Sequence, residues 1–438
     1  MNEKIAIIGA GYCGLAAASV FIEKGYNVSV FDALDIPGGL AAGRKRDNYN
    51  WPIELINHHW FNNEKSILKL SNKFNLTDSL KTYSPETSFF HNGDIKPFDK
   101  PQHVLNYPGL SLFDKWKLGR SLAKLKLSNS WKPFDDLTAE EWIVKNMGQN
   151  VYDKLWKPML IGKWGSYYNK INMAWFWARI HVRTQKLMYP DGGFQSFTNK
   201  VKSGLEEKGV KFYFKQKINK ILRTEDGDYY QVGNEIHIKF DSVLFTVSPK
   251  IILDTVDAFP KSYRKEIASL HSMGAICMMF ILKKKVMNGS YWINIPTSSV
   301  NPIDRKIPFL VFVEHTNMIP PRYYNNQHIV YCGNYLEPEH VLFNYSKEDI
   351  FRLYFSGIQI LNPEICKDDV IDIQLTKTQY ASPVFLVNHS NAVPSFDTPL
   401  PNIFWASMSH IYPWDRGTNY AAELGFKVAK HIIKKNSF

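Results

Sequence analysis

Residues 4–14, Lys-Ile-Ala-Ile-Ile-Gly-Ala-Gly-Tyr-Cys-Gly, set a short apolar run against glycines at positions 9, 11 and 14. The run reads as a strand, residues 15–24 have helical character that ends at Gly25, and residues 26–31 alternate like a second strand. Two strands joined through a helix require a parallel sheet with helical cover. Gly9, Gly11 and Gly14 then stand where a dinucleotide-binding turn needs a tight bend, close approach to a pyrophosphate and close helix packing. The phosphates would meet the helix N-terminus. Asp32 closes the second strand roughly 20 residues on, where a carboxylate accepts from ribose hydroxyls. An ordinary glycine loop is the competing reading, and the strand, helix and acid around this one favour the nucleotide.

Outward from this unit, Asn92-Gly93 between the apolar flanks of 89–98 reads as a type I′ hairpin. Residues 112–127 carry Leu, Phe and Trp at helical spacing with Lys and Arg between them. A helix at 138–145 opens with the capping signature Thr138-Ala-Glu-Glu141. From Gly192-Gly193-Phe194 a helix runs to about 208, followed by a strand at 210–214, alternating patterns at 217–223 and 229–240, and a buried strand at 241–247. Strand-like runs at 275–283, 308–313 and 328–335 predict an antiparallel sheet. A strand at 402–407 and a helix at 417–434 return to α/β character. The fold class expected is α/β, α+β overall. A Rossmann-type cofactor domain covers 1–75, 190–250 and 395–438, and the inserted substrate domain, antiparallel sheet plus helices, covers 76–189 and 251–394 with its helical part at about 107–189.

At 438 residues the chain exceeds the size at which one core stops growing, and 45% hydrophobic with 14% aromatic residues sets it apart from disordered chains. No stretch reaches the ~18 uncharged residues of a spanning helix, and the apolar start at 5–8 is too short for a signal sequence, so a cytoplasmic home is expected. Cys13, Cys277, Cys332 and Cys366 are scattered without a C-x-x-C pair, which suggests neither a metal site nor a disulfide framework. The formal charge of +12 comes from lysines spread along the chain, not from the dense blocks of a nucleic-acid binder. An anionic small-molecule substrate, an acidic membrane surface or plain solubility accounts for it better. The 112–127 helix is read either as ordinary amphipathic packing or as a peripheral contact with anionic lipid.

Five residues separate Asp32 from the doublet Gly38-Gly39, which a plain dehydrogenase does not need. The doublet resembles the second flavin fingerprint of the amine oxidase, phytoene desaturase and protoporphyrinogen oxidase superfamily, in which an acid is followed by Gly-Gly and usually Arg. Here Leu40 follows, and the nearest arginine is Arg44. Residues 217–221, with Ile218, resemble the strand whose backbone meets the adenine, and 241–249 the strand returning to the sheet. Phe404-Trp-Ala-Ser-Met and then Arg416-Gly417-Thr418-Asn419-Tyr420 resemble the terminal strand, loop and helix that reach the flavin ring. Most members carry Gly-Asp or Gly-Glu after that strand, where this chain has Ser407-Met408. The resemblance implies FAD, held noncovalently because no Cys or His lies in an attachment motif. Its contacts would be Gly9, Gly11, Gly14, Asp32, Gly38, Gly39, Arg44, Ile218, Arg416, Gly417, Thr418 and Asn419, with the last helix N-terminus stabilising negative charge at the N1/C2 edge.

The segment from Tyr49 to Phe61, with His58 and His59, occupies the place where such flavoproteins pass a chain across the isoalloxazine face, and it resembles a bacterial protoporphyrinogen-oxidase-like subset with paired histidines. An imidazole there moves a proton while hydride goes to N5, unless the histidines are hydrogen-bonded structural residues. Arg179 and Arg183, four apart, would share one helix face and clamp a phosphate or carboxylate; a solvated basic face is the alternative. Trp414 is the third candidate substrate contact. The function implied is an FAD-dependent dehydrogenase, oxidase or desaturase. A mutase similar to UDP-galactopyranose mutase, or a flavin-binding protein without catalysis, stands as an alternative.

Overall fold

Ile5, Ala6 and Ile7 are completely buried, as expected of a central parallel strand covered on both faces. In this computed structural model, which describes residues 3–91, 93–100, 102–103, 107–223, 230–232 and 238–436, Lys4–Ile8 is the middle of a five-stranded parallel sheet. The order is Lys211–Tyr213, Asn27–Phe31, Lys4–Ile8, Ser242–Phe245, Ile403–Trp405. Three distant stretches of chain therefore build one sheet. Helix Tyr12–Glu23, with Ala16, Ala17 and Ala18 buried, packs on helix Thr418–Asn436. At their crossing, a Cβ on Gly425 would lie 2.2 Å from the Cys13 carbonyl oxygen.

The alternation at 217–223 forms a strand only at Ile221–Arg223; residues 217–220 are irregular and follow Lys215, whose φ of +56° turns the chain. That strand joins Tyr230–Val232 and Ile238–Phe240 in a small antiparallel sheet, while 224–229 and 233–237, part of the alternation expected at 229–240, lie outside the described residues.

The second large sheet has seven strands, in the order Val370–Pro383, Ser272–Leu282, His328–Leu336, Val311–Glu314, Ser290–Asn294, Glu86–His91, Asp94–Pro97. Its pairings are antiparallel except that between Glu86–His91 and Ser290–Asn294, which is parallel. His91 faces Asp94 across the predicted hairpin and Gly93 has φ +94°; Asn92 lies outside the described residues. Helices Leu112–Leu127, Ala139–Met147, Lys157–Trp164 and Met173–Val182 gather around a core with Trp142, Tyr152, Trp164, Trp175 and Trp177. Thr138 and Glu141 make the expected capping box.

Candidate active site

Gly9 and Gly14 of the first turn are fixed by sterics. Gly9 has φ +113°, and a Cβ on Gly14 would sit 2.0 Å from the Gly9 carbonyl oxygen. Gly39 (φ +58°) would put a Cβ 3.3 Å from the Gly11 Cα, so the two glycine turns pack backbone to backbone, and the Gly38 N–H donates to the Ala10 carbonyl at 2.9 Å. Helix Tyr12–Glu23 starts at Gly11 with no side-chain cap and no acid in its first turn. Its first amides are left for an anion. Asp32 accepts the Ala10 and Leu34 N–H groups at 2.7 and 2.8 Å. Burial raises its pKa against those two bonds, and each oxygen keeps a lone pair for a hydroxyl. This cradle, closed to a Cβ at Gly9 and Gly14 and ending on an uncapped helix, fits a dinucleotide.

The remaining predicted cofactor residues are placed less uniformly. Arg44 makes a bidentate pair with Asp35 near the surface, at 2.5 and 2.8 Å. Ile218 is buried, its carbonyl accepting from Thr255 Oγ1 at 3.4 Å. Ser407, where relatives carry an acid one position on, shares hydrogen bonds with Tyr380 (3.2 Å) and His410 (3.1 Å). Thr418 Oγ1 accepts from the Trp60 indole N–H at 2.6 Å, and Asn419 Oδ1 accepts the amides of Ser66 and Ile67, capping helix Lys65–Lys73. The side chains of Thr418 and Asn419 are thus committed to the protein. What Gly417 and its neighbours keep for a flavin is the backbone at the start of helix Thr418–Asn436.

Residues 55–59 are irregular, so His58 and His59 do not alternate on a strand. The His58 Nδ1–H donates to the Ile56 carbonyl at 2.7 Å, leaving Nε2 as an acceptor. His59 Nδ1 is 3.1 Å from the Tyr291 hydroxyl, which donates to Asn57 Oδ1 at 3.3 Å, so His59 also keeps its proton on Nδ1. Burial holds His58 down to about 4 and His59 to about 3, and the charge of Arg416 adds to both. Both are neutral at pH 7, each with Nε2 left as a hydrogen-bond acceptor. The segment is anchored by Glu54, fully buried and bonded to the Tyr189 hydroxyl (2.8 and 2.7 Å) and the Phe194 N–H (2.8 Å). Burial pushes Glu54 up to about 7.

Asp415 gathers cations. Lys163 Nζ lies 3.1 Å from both its oxygens, Arg179 Nη1 bonds to it, and the Trp175 indole N–H donates at 3.4 Å. Burial works to raise Asp415, but the charges of Lys163 and Arg179 hold it down at about 2. Lys163 is lowered by burial. Two cations share one carboxylate, and two more stand nearby. Burial, with the charge of Arg179, brings both Arg183 and Arg416 to about 10. Among the described residues no carboxylate lies within ion-pairing distance of either. Arg416 Nε is buried without a hydrogen-bond partner, and its guanidinium sits 5.0 Å over the Tyr335 ring. Arg183 keeps solvent-accessible surface.

The predicted shared face of Arg179 and Arg183 is corrected: helix Met173–Val182 ends before Arg183, whose backbone is extended (φ −64°, ψ 132°). Lys126 Nζ takes the carbonyls of His181 and Arg183 at 2.7 and 2.8 Å, which satisfies that helix end. Trp414 stacks on Tyr420 at 5.8 Å and lies 5.7 Å from Trp177. Glu54, Lys163 and Asp415 were not singled out by sequence; Asp415, the one acid between Trp414 and Arg416, was the available signal.

The family profile described as flavin containing amine oxidoreductase matches residues 12–433. Coproporphyrinogen III oxidase of Staphylococcus aureus is 20% identical over 293 residues, 58% of this chain and 62% of that protein, so the match spans less than two thirds of this relative. Cyclohexylamine oxidase from Brevibacterium oxydans superimposes with a TM-score of 0.74 at 13% identity, covering all of both chains. Reduced UDP-galactopyranose mutase superimposes with 0.74 at 15% identity over 99% of this chain and 96% of that one. These two likenesses show the fold alone. With the profile running over nearly the whole sequence and the glycine cradle shaped for a dinucleotide, the chain belongs to the flavin-containing amine oxidoreductase family, a family of FAD-dependent oxidoreductases.

Proposed function

We propose that the chain oxidises a small molecule carrying a carboxylate or phosphate, with hydride passing to FAD seated on the cradle of Gly9, Gly11, Gly14, Gly38, Gly39 and Asp32. The observation that carries this reading is the pair Arg183 and Arg416, cations without a carboxylate partner among the described residues, beside two neutral histidines. When bound, FAD supplies the hydride acceptor at N5. Arg183 and Arg416 hold the substrate anion, and each offers a charge-assisted hydrogen bond that fixes orientation. The Lys163–Asp415–Arg179 cluster stiffens the wall behind them. Nε2 of His58 or His59 accepts the proton released as hydride leaves, and Glu54 positions the segment that carries both. Trp414 and Tyr420, stacked nearly parallel, provide an apolar surface beside the cations. The division into a discontinuous cofactor domain and an inserted substrate domain, noncovalent attachment and a cytoplasmic setting belong to the same proposal. Among the described residues no helix is long and apolar enough to cross a membrane.

The same cations suit a nucleotide diphosphate, so a mutase reading is tested alongside. The decisive experiment is the visible spectrum of the purified protein, then anaerobic reduction by dithionite and exposure to air or to nucleotide sugars. Flavin bands, together with bleaching by a carboxylated substrate that is lost for its methyl ester and impaired in Arg183→Gln, are the expected result. Sugar isomerisation only in the reduced state would replace oxidation with the mutase. Failure to take up FAD would overturn both.

A further inference from the structure

Helix Leu112–Leu127 buries Leu118, Ser121 and Leu125 against the neighbouring helices. The opposite side of such a helix is ordinarily polar. Here Leu112 is 85% exposed, Phe113 61%, Trp116 57% and Leu127 79%. Phe113, Trp116, Arg120 and Leu127 share one solvent face by their helical spacing. The Phe113 and Trp116 rings stack at 5.9 Å, with Lys117 4.4 Å over Phe113 and Arg120 5.1 Å over Trp116. Around this apolar stripe stand Lys115, Lys117, Arg120 and Lys124, none with a carboxylate within ion-pairing distance among the described residues. The helix's one acid, Asp114, is spent on the capping box with Ser111 and on the Asn150 side-chain amide.

We propose that this helix docks the protein on a bilayer containing anionic lipid, lying in the plane of the interface. Aromatic and leucine side chains enter the headgroup boundary while lysines and an arginine meet the lipid charge. The charge pattern selects this occupant: unpaired cations ring an apolar stripe, which matches a negatively charged interface and is repelled by a second copy of the same basic face. The capping box holds the first turn, where Leu112, Phe113 and Trp116 cluster, in fixed register, so little ordering remains to be done on docking. Lys126, bonded to the carbonyls of His181 and Arg183, ties the docked helix to the segment that supplies the candidate anion-binding arginine. The docking surface does not depend on the redox reading.

The test is co-sedimentation of the full chain with vesicles of phosphatidylcholine and of a phosphatidylcholine–phosphatidylglycerol mixture, at low and physiological salt. Binding to the mixture, weaker at higher salt and absent on phosphatidylcholine, is the expected result. Phe113→Ser with Trp116→Ser should weaken it by about tenfold or more. Lys117→Glu with Arg120→Glu should abolish the preference for anionic lipid. Because all four side chains lie on the surface, melting temperatures are expected to stay at the wild-type value; if one pair misfolds, the other reads the same surface. No binding to anionic vesicles, equal binding to both kinds, or binding untouched by the substitutions would overturn the proposal. So would a dimer that the Phe113 and Trp116 substitutions dissociate without any vesicle binding.

Discussion

Asp415 makes it tolerable for Lys163 to lie where water scarcely reaches; the side chains of Asp415 and Lys163 are 20% and 11% exposed, while that of Arg179, at 38%, still meets solvent. Removing one partner of a buried ion pair leaves the other charge uncompensated. Asp415→Asn is therefore expected to cost about 3–5 kcal/mol in urea denaturation, and adding Lys163→Met to restore part of that loss. An unchanged midpoint would mean that solvent already screens the cluster. None of this was legible in the sequence, because Lys163 and Asp415 are 252 positions apart. The same holds for Glu54 with Tyr189 and His59 with Tyr291, separated by 135 and 232 positions. Gly9, Gly11, Gly14, Asp32, Gly38 and Gly39 were legible because their constraints are local: a turn, a helix start and a strand end. Arg179 and Arg183 show the limit of spacing arguments, since the four-residue offset assumed a helix that stops one residue short.

Among elements, the crossing of helices Tyr12–Glu23 and Thr418–Asn436 couples both ends of the candidate cofactor site. The first carries Gly11 at its start, the second begins at Thr418, and they meet where Gly425 approaches Cys13 and Ala16. Gly425→Ala would set a Cβ 2.2 Å from the Cys13 carbonyl oxygen and 2.9 Å from the Ala16 Cβ, forcing the helices apart. Overpacking of this kind should destabilise by about 1–3 kcal/mol. It should also lower the flavin retained through gel filtration, since both helix starts shift. Full retention with an unchanged denaturation midpoint would show that the crossing slides at little cost. Helix Leu112–Leu127 matched its predicted bounds because its apolar spacing is unbroken. Helix Lys347–Leu361 went unread although Ser346-Lys-Glu-Asp349 is a capping signature, and the structure closes that box. Strand Val370–Pro383 was missed because it is only half-buried along most of its length and mixes polar with apolar residues.

On the scale of the whole molecule, the buried titratable groups pull stability in opposite directions with pH. Burial holds His58, His389 and His410 down to about 4, and His59 and His315 to about 3, from an ordinary 6.5. The unfolded chain binds protons that these folded sites refuse, so their contribution is lost as pH falls from 6.5 towards 4. Glu54 and Glu314, raised by burial to about 7, and Glu64, raised to about 8, act oppositely. Folded, they keep protons that the unfolded chain has released, so their contribution is lost as pH rises from 4.5 through 7. Between pH 4.5 and 6.5 both groups act, and five histidines outweigh three glutamates. The melting temperature is therefore expected to climb from pH 4.5 to 6.5 at constant ionic strength and to stop climbing there, because the histidine contribution is complete above 6.5. Scanning calorimetry of the protein reads this directly. A melting temperature that falls steadily from pH 4.5 would mean that the five imidazoles are hydrated in the folded state, and the burial argued for His58 and His59 would fall with it.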